Sequence, residues 1–126
     1  MTFRTLLTVK AVVCLVFGVF LLFLPRLLLD ILGGSLGSAG TFTAREYGAA
    51  LFGTLMLTWF ARNMAESRAR RPILLHLLVY DAIGFVVTLL AVLSGVLNLI
   101  GWGIVVVYLF FALGSGYLLI AKTAKA

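Results

Sequence analysis

Long apolar stretches alternate with short polar ones from one end of the chain to the other. Four stretches, approximately 6–24, 43–64, 72–93 and 97–120, are apolar on nearly every face, and each is close to the about 20 residues a helix needs to cross the hydrocarbon core. None shows the period of two that barrel strands require. Helices, which satisfy their own backbone groups, are therefore the expected spanning elements. The predicted architecture is an all-α membrane protein, an antiparallel bundle of four transmembrane helices forming one domain over residues 1–126.

The connections carry their own signals. Pro25 ends or kinks the first span, and the following Arg26-Leu27-Leu28-Leu29-Asp30-Ile31-Leu32 reads as an interfacial piece or an extension of that helix. The glycine- and serine-rich segment 33–40 reads as a flexible link. Thr43 followed by Glu46 fits a capping box for the second span, with Phe42 and Tyr47 in the positions of a hydrophobic staple. Segment 62–71 is the most charged, and Pro72 suits the first position of the next helix. The last link, 94–98, holds no charge and is short enough to make the third and fourth spans antiparallel neighbours.

Composition adds weight to lipid as the solvent: 63% of residues are hydrophobic and 11% charged, with a mean hydropathy of +1.21. A water-soluble chain of this size cannot hide so much apolar surface. The net charge of +6 raises the question of nucleic acid, but no patterned basic face exists, and no nucleic-acid partner is expected. The basic residues instead flank the spans, where they set topology and meet anionic headgroups. Arg4, Lys10, Arg62, Arg68, Arg70, Arg71, Lys122 and Lys125 fall on one side, Arg26 and Arg45 on the other. Excess on the first side places both termini in the cytoplasm of a multi-pass protein, here expected in a bacterial inner membrane. Arg4 and Lys10 ahead of an apolar stretch resemble a signal peptide, but Pro25-Arg26 and more leucines stand where a small-residue cleavage site belongs, so the stretch is expected to be retained. The single cysteine, Cys14, has no partner for an internal disulfide.

Asp81 is the most informative candidate. It lies nine residues past Pro72, ~13 Å into the membrane at the helical rise, where a carboxylate costs on the order of 3 kcal/mol and needs a partner, a proton or a wet cavity. Helical spacing puts it on one stripe with Gly84 and Thr88. Thr54 on the second span and Tyr108 on the fourth are expected at reachable depth, and Arg45, farther outward, is the candidate counter-charge. A buried polar site of Asp81, Thr88, Tyr108, Thr54 and Arg45 is one reading; a carboxyl that merely locks helices together is the other. Thr43, Glu46 and Tyr47 are expected as helix cap and interface. Lys10 is expected to snorkel to the nearer surface.

Other chemistry is thin. His76, one turn before Tyr80, is the chain's one histidine and cannot complete a two-histidine haem site. Neither a Ser-His-Asp pattern, a phosphate-cradling glycine loop nor metal-ligand spacing is present, so no catalytic residue, no metal and no cofactor is expected. Thirteen glycines offer close helix contact, as small residues do in lipid, and Trp102 and Tyr117 suit interface anchors.

The segment Ala44-Arg45-Glu46-Tyr47-Gly48-Ala49-Ala50-Leu51-Phe52-Gly53, opening the second span ahead of two closely linked apolar helices, resembles the DoxX-like small membrane proteins of bacteria. The resemblance implies an inner-membrane four-helix bundle and transfers no catalytic residue. The essential first-helix acid of small multidrug-resistance transporters and the Asn and Arg motifs of fluoride channels have no counterpart here. Two functions follow as expectations: a non-enzymatic bundle that acts as an accessory or self-associating subunit, as a homo-oligomer or within a larger membrane complex; or a carrier of a small molecule, proton or cation with a buried polar site around Asp81.

Overall fold

The computed structural model describes residues 1–125, with side chains through residue 121. The side chains of Lys122 and Lys125, which enter the topology argument, lie outside those described. The chain folds as α1 (Phe3–Phe23), α2 (Pro25–Ile31), α3 (Ser38–Ala61), α4 (Arg70–Leu93) and α5 (Gly101–Lys125). Among the described residues three stretches, Phe3–Phe23, Arg70–Leu93 and Gly101–Ala121, are long and apolar enough to cross a membrane. With 24 residues, ~36 Å at the helical rise, α3 has the length as well. Arg45, Glu46 and its threonines dilute its apolarity, so the crossing expected at 43–64 is not marked by composition.

Each boundary has a local cause. The Thr2 hydroxyl accepts from Thr5 N at 3.1 Å and caps α1. Leu24 leaves the helical region (φ −132°, ψ 49°) and Pro25, which has no N–H to leave unbonded, starts α2. Gly33 (φ 83°) then turns the chain out of α2 while Gly34 N donates to Leu29 O at 2.8 Å, a left-handed glycine stop. Gly95 (φ 83°) ends α4 in the same way, with Val96 N bonded to Ala91 O at 2.9 Å.

Helix α3 corrects the expected start. Its N-cap is Gly37, and its first residue precedes Thr43 by five positions. Thr43 therefore lies inside the helix, where its hydroxyl donates to Ala39 O at 3.0 Å. The capping box is not formed, because the backbone amides it would satisfy already have helical partners upstream. The start of the last helix also moves, from 97 to Gly101. Asn98 holds the intervening turn by accepting from Ile100 N at 3.0 Å.

The long helices pack as two pairs. In the first, α1 and α3 run in opposite directions and cross at Gly18 and Gly48, so close that a Cβ on Gly48 would stand 2.8 Å from Leu22 N and 3.2 Å from Gly18 O. In lipid such small-residue crossings supply the contact that the hydrophobic effect gives in water. In the second, α4 and α5 approach at Gly84, where a Cβ would fall 2.3 Å from the Tyr108 ring. The pairs meet at one end through Phe3, Leu6, Leu7, Ala61, Leu74, Leu77, Phe111 and Leu118. This cluster joins the starts of α1 and α4 to the end of α3 and the C-terminal half of α5. At the other end Asn98 ties the turn before α5 to α2, its N donating to Leu32 O at 2.8 Å and its Nδ2 to Ile31 O at 2.9 Å. Outward faces carry exposed Val12, Leu15, Val16 and Val19 on α1, Val79, Ile83, Val86, Val87 and Leu90 on α4, and Val106, Leu113 and Ile120 on α5. An apolar belt of this extent on several helices calls for lipid around it.

Candidate functional site

Between the two tight ends the pairs separate, and polar side chains bridge the gap. Lys10 on α1 and Asp81 on α4 form a buried ion pair, Nζ to Oδ1 at 2.6 Å, with 4% and 0% of the two side chains exposed. The same ammonium lies 4.7 Å from the ring centre of Tyr80 and 4.5 Å from that of Phe111, so two aromatic faces share its charge. Asp81 Oδ2 is buried and meets no donor among the described residues, as does Ser115 Oγ on α5.

Beside the pair, three phenols meet. Tyr47 on α3 reaches across and shares its hydroxyl with Tyr80 of α4 and Tyr108 of α5. Gly84 makes this possible, since only a residue without a Cβ lets the Tyr108 ring lie against α4. His76 stacks on Tyr80 from the exposed side, with ring centres 6.0 Å apart and 22° between planes.

Lys10, Tyr47, Tyr80 and Tyr108 form the polar floor of a cavity of about 520 Å³. Its walls are apolar, with Phe17, Leu21, Leu28, Leu51, Ile104 and Val107 prominent, and Cys14, Thr43 and Thr88 also line it. The volume lies within the range of about 300–1,000 Å³ of small-molecule sites, which likewise combine apolar walls with a few polar groups.

The expected site is thus assembled in part and rearranged. Asp81, Tyr108 and Thr88 come to one region, Thr88 as a cavity wall. Thr54 does not join them, since its hydroxyl bonds back to Ala50 O at 3.2 Å. Arg45 is not the counter-charge of Asp81: it is exposed and lines a separate cleft of about 570 Å³ with Arg26, Ser38 and Thr41. Lys10 takes that role instead, and it turns inward rather than snorkelling. From the expected cap, Glu46 is exposed and Tyr47 becomes the hub of the phenol cluster. Sequence reasoning missed Lys10 and Tyr80 as site residues and gave Tyr47 a place at the helix cap and interface instead. One signal was available for Lys10: a base and an acid each embedded in an apolar run are both costly alone, and each is the other's least costly remedy.

Comparison of the chain with known protein families, curated proteins and solved structures finds no match. The likeness to DoxX-like proteins accordingly rests on residues 44–53 and the helix layout, and the multi-helix apolar bundle is the part of it that the fold supports.

Proposed function

We propose that this chain is a four-span protein of the bacterial inner membrane, with both termini cytoplasmic, that binds and carries a small molecule, or couples to a proton or cation, through the buried polar site around Asp81. The observation that carries this reading is the buried Lys10–Asp81 pair, whose lysine lines the floor of an apolar cavity. A pair that served only to lock helices would gain little over apolar packing of the same volume, because desolvating two charges offsets most of their attraction. Here the lysine also faces open space lined by phenols, the composition of a ligand site. The reading includes no bond-making step and no cofactor. The fourth crossing is assigned to α3 because its length suffices and because it lies along α1 at Gly18 and Gly48.

A second reading, an accessory or self-associating subunit, draws on a different surface. Ala49 and Gly53 lie one turn apart on the exposed face of α3, and a Cβ at Gly53 would meet nothing within 4 Å, which leaves room for another helix. Native mass spectrometry after mild release from the membrane separates the two. The carrier reading expects a small molecule retained by the wild type and lost from Ala44→Trp, whose indole would project into the cavity from its wall. No retained small molecule in either case, with a stoichiometric protein partner bound instead, overturns it in favour of the accessory reading.

A further inference from the structure

The donors on the cavity floor define the chemistry of what it takes. Three phenol hydroxyls carry three protons; two hydrogen bonds run through Tyr47, and Tyr80 and Tyr108 also interact with each other more weakly. Each bond through Tyr47 uses one proton, so the third, held only by the weaker Tyr80–Tyr108 contact, can turn to a better acceptor outside the trio. Among the described residues no other acceptor meets these hydroxyls, and Tyr47 is exposed. Lys10 is different. Its ammonium donates to Asp81 Oδ1 at 2.6 Å and lies over the rings of Tyr80 and Phe111, so its charge is already matched by one carboxylate and two aromatic faces. An anionic head would enter a site whose positive charge is balanced and would lose its hydration without gaining a counter-charge. A cationic head would meet the ammonium. A neutral acceptor meets the remaining phenol proton and disturbs neither.

Resting on the ligand-binding reading above, we propose that the cavity binds a neutral, lipid-soluble molecule with a hydrogen-bond-accepting end, such as an ester or ketone carbonyl. That end sits on the Tyr47–Tyr80–Tyr108 floor. Its apolar body lies along Phe17, Leu21, Leu51 and Val107. The hydroxyls supply selectivity for the head, and the walls supply affinity without selectivity for a particular tail.

Photolabelling of the intact chain in lipid nanodiscs tests this with three probes of one length: methyl myristate, myristic acid and tetradecane, each carrying a mid-chain diazirine. Labelling of wall peptides is normalised to labelling of the surrounding lipid. The ester is expected to label the walls about three- to tenfold more than the hydrocarbon, the ratio that one net hydrogen bond supports, and more than the ionised acid. In the variant Tyr47→Phe/Tyr80→Phe/Tyr108→Phe the ester falls to the hydrocarbon's level while hydrocarbon labelling persists. Should that variant fail to fold, the wild-type ranking of the three probes decides alone. Equal labelling by ester and hydrocarbon, or strongest labelling by the acid, overturns the neutral-acceptor proposal and leaves a ligand cavity standing. Wall labelling that none of the probes produces above the level of Ala44→Trp overturns the ligand-binding reading itself.

Discussion

Removing one member of the Lys10–Asp81 pair is expected to harm the protein far more than removing both. At 2.6 Å the two charges attract by roughly 6 kcal/mol at an effective dielectric of about 20, and the desolvation of both groups takes back most of that. Lys10→Met leaves a carboxylate with no counter-charge in a position with 0% exposure, and Asp81→Leu leaves an ammonium with only ring faces. Either single change should therefore cost about 3–5 kcal/mol, on the scale of about 3 kcal/mol for an isolated charge at mid-membrane depth. The double variant Lys10→Met/Asp81→Leu replaces the pair by apolar groups of similar volume and should lie within about 1–2 kcal/mol of wild type. Reversible unfolding by sodium dodecyl sulfate in mixed micelles, followed through Trp59 and Trp102, measures all four corners of this cycle. Costs that simply add in the double variant, or single variants that each lose under about 1 kcal/mol, would refute the reasoning, because groups in direct contact must couple.

Three further outcomes follow from the packing. Gly48→Ala should destabilise by about 1–3 kcal/mol, as overpacking does, since its Cβ would press on the Leu22 and Gly18 backbone; Gly53→Ala, which meets nothing within 4 Å, should be neutral or slightly stabilising in the same unfolding titration. Gly84→Ala should displace the Tyr108 ring and lose the ester preference in photolabelling, and adding Tyr108→Val should restore stability without restoring that preference. Asn98→Ala removes the Nδ2 bond to Ile31 O while keeping the backbone bond to Leu32 O; it should cost about 0.5–1.5 kcal/mol and speed hydrogen exchange at Gly33 and Gly34 with little effect near Leu74.

The apolar runs of α1, α4 and α5 were legible because each is long and apolar enough to cross a membrane, and those helices lie close to where the runs stand. Boundaries were less legible. Residues 38–40, Ser-Ala-Gly, read as the end of a link because small and polar residues favour turns locally, yet in the folded chain they begin α3. The Thr-x-x-Glu pattern at 43–46 matched a cap only because a single strand of sequence cannot tell whether the preceding backbone is already helical. Asp81 was identifiable from depth alone, whereas its partner is 71 residues away and only tertiary packing brings the two together. Tyr47 was assigned to the interface by its place near an expected helix start; once that start moves outward, the same residue falls about 13 Å along α3 at the helical rise, level with the phenols of the opposite pair. Arg45, two residues earlier, lies on a different face of α3 and lines a separate cleft with Arg26, away from Asp81.

The claim on which the rest depends is that a lysine from α1 and an aspartate from α4 meet between the helix pairs inside the bilayer. The chain makes this directly measurable, since it holds Lys10, Lys122 and Lys125 as its lysines and Asp30 and Asp81 as its aspartates. In protein labelled with ¹⁵Nζ-lysine and ¹³Cγ-aspartate and reconstituted in lipid, rotational-echo dephasing should report one Nζ–Cγ coupling of the strength that a 2.6 Å N···O contact implies, and it should vanish in Asp81→Leu. Dephasing no stronger in wild type than in that variant would contradict the account.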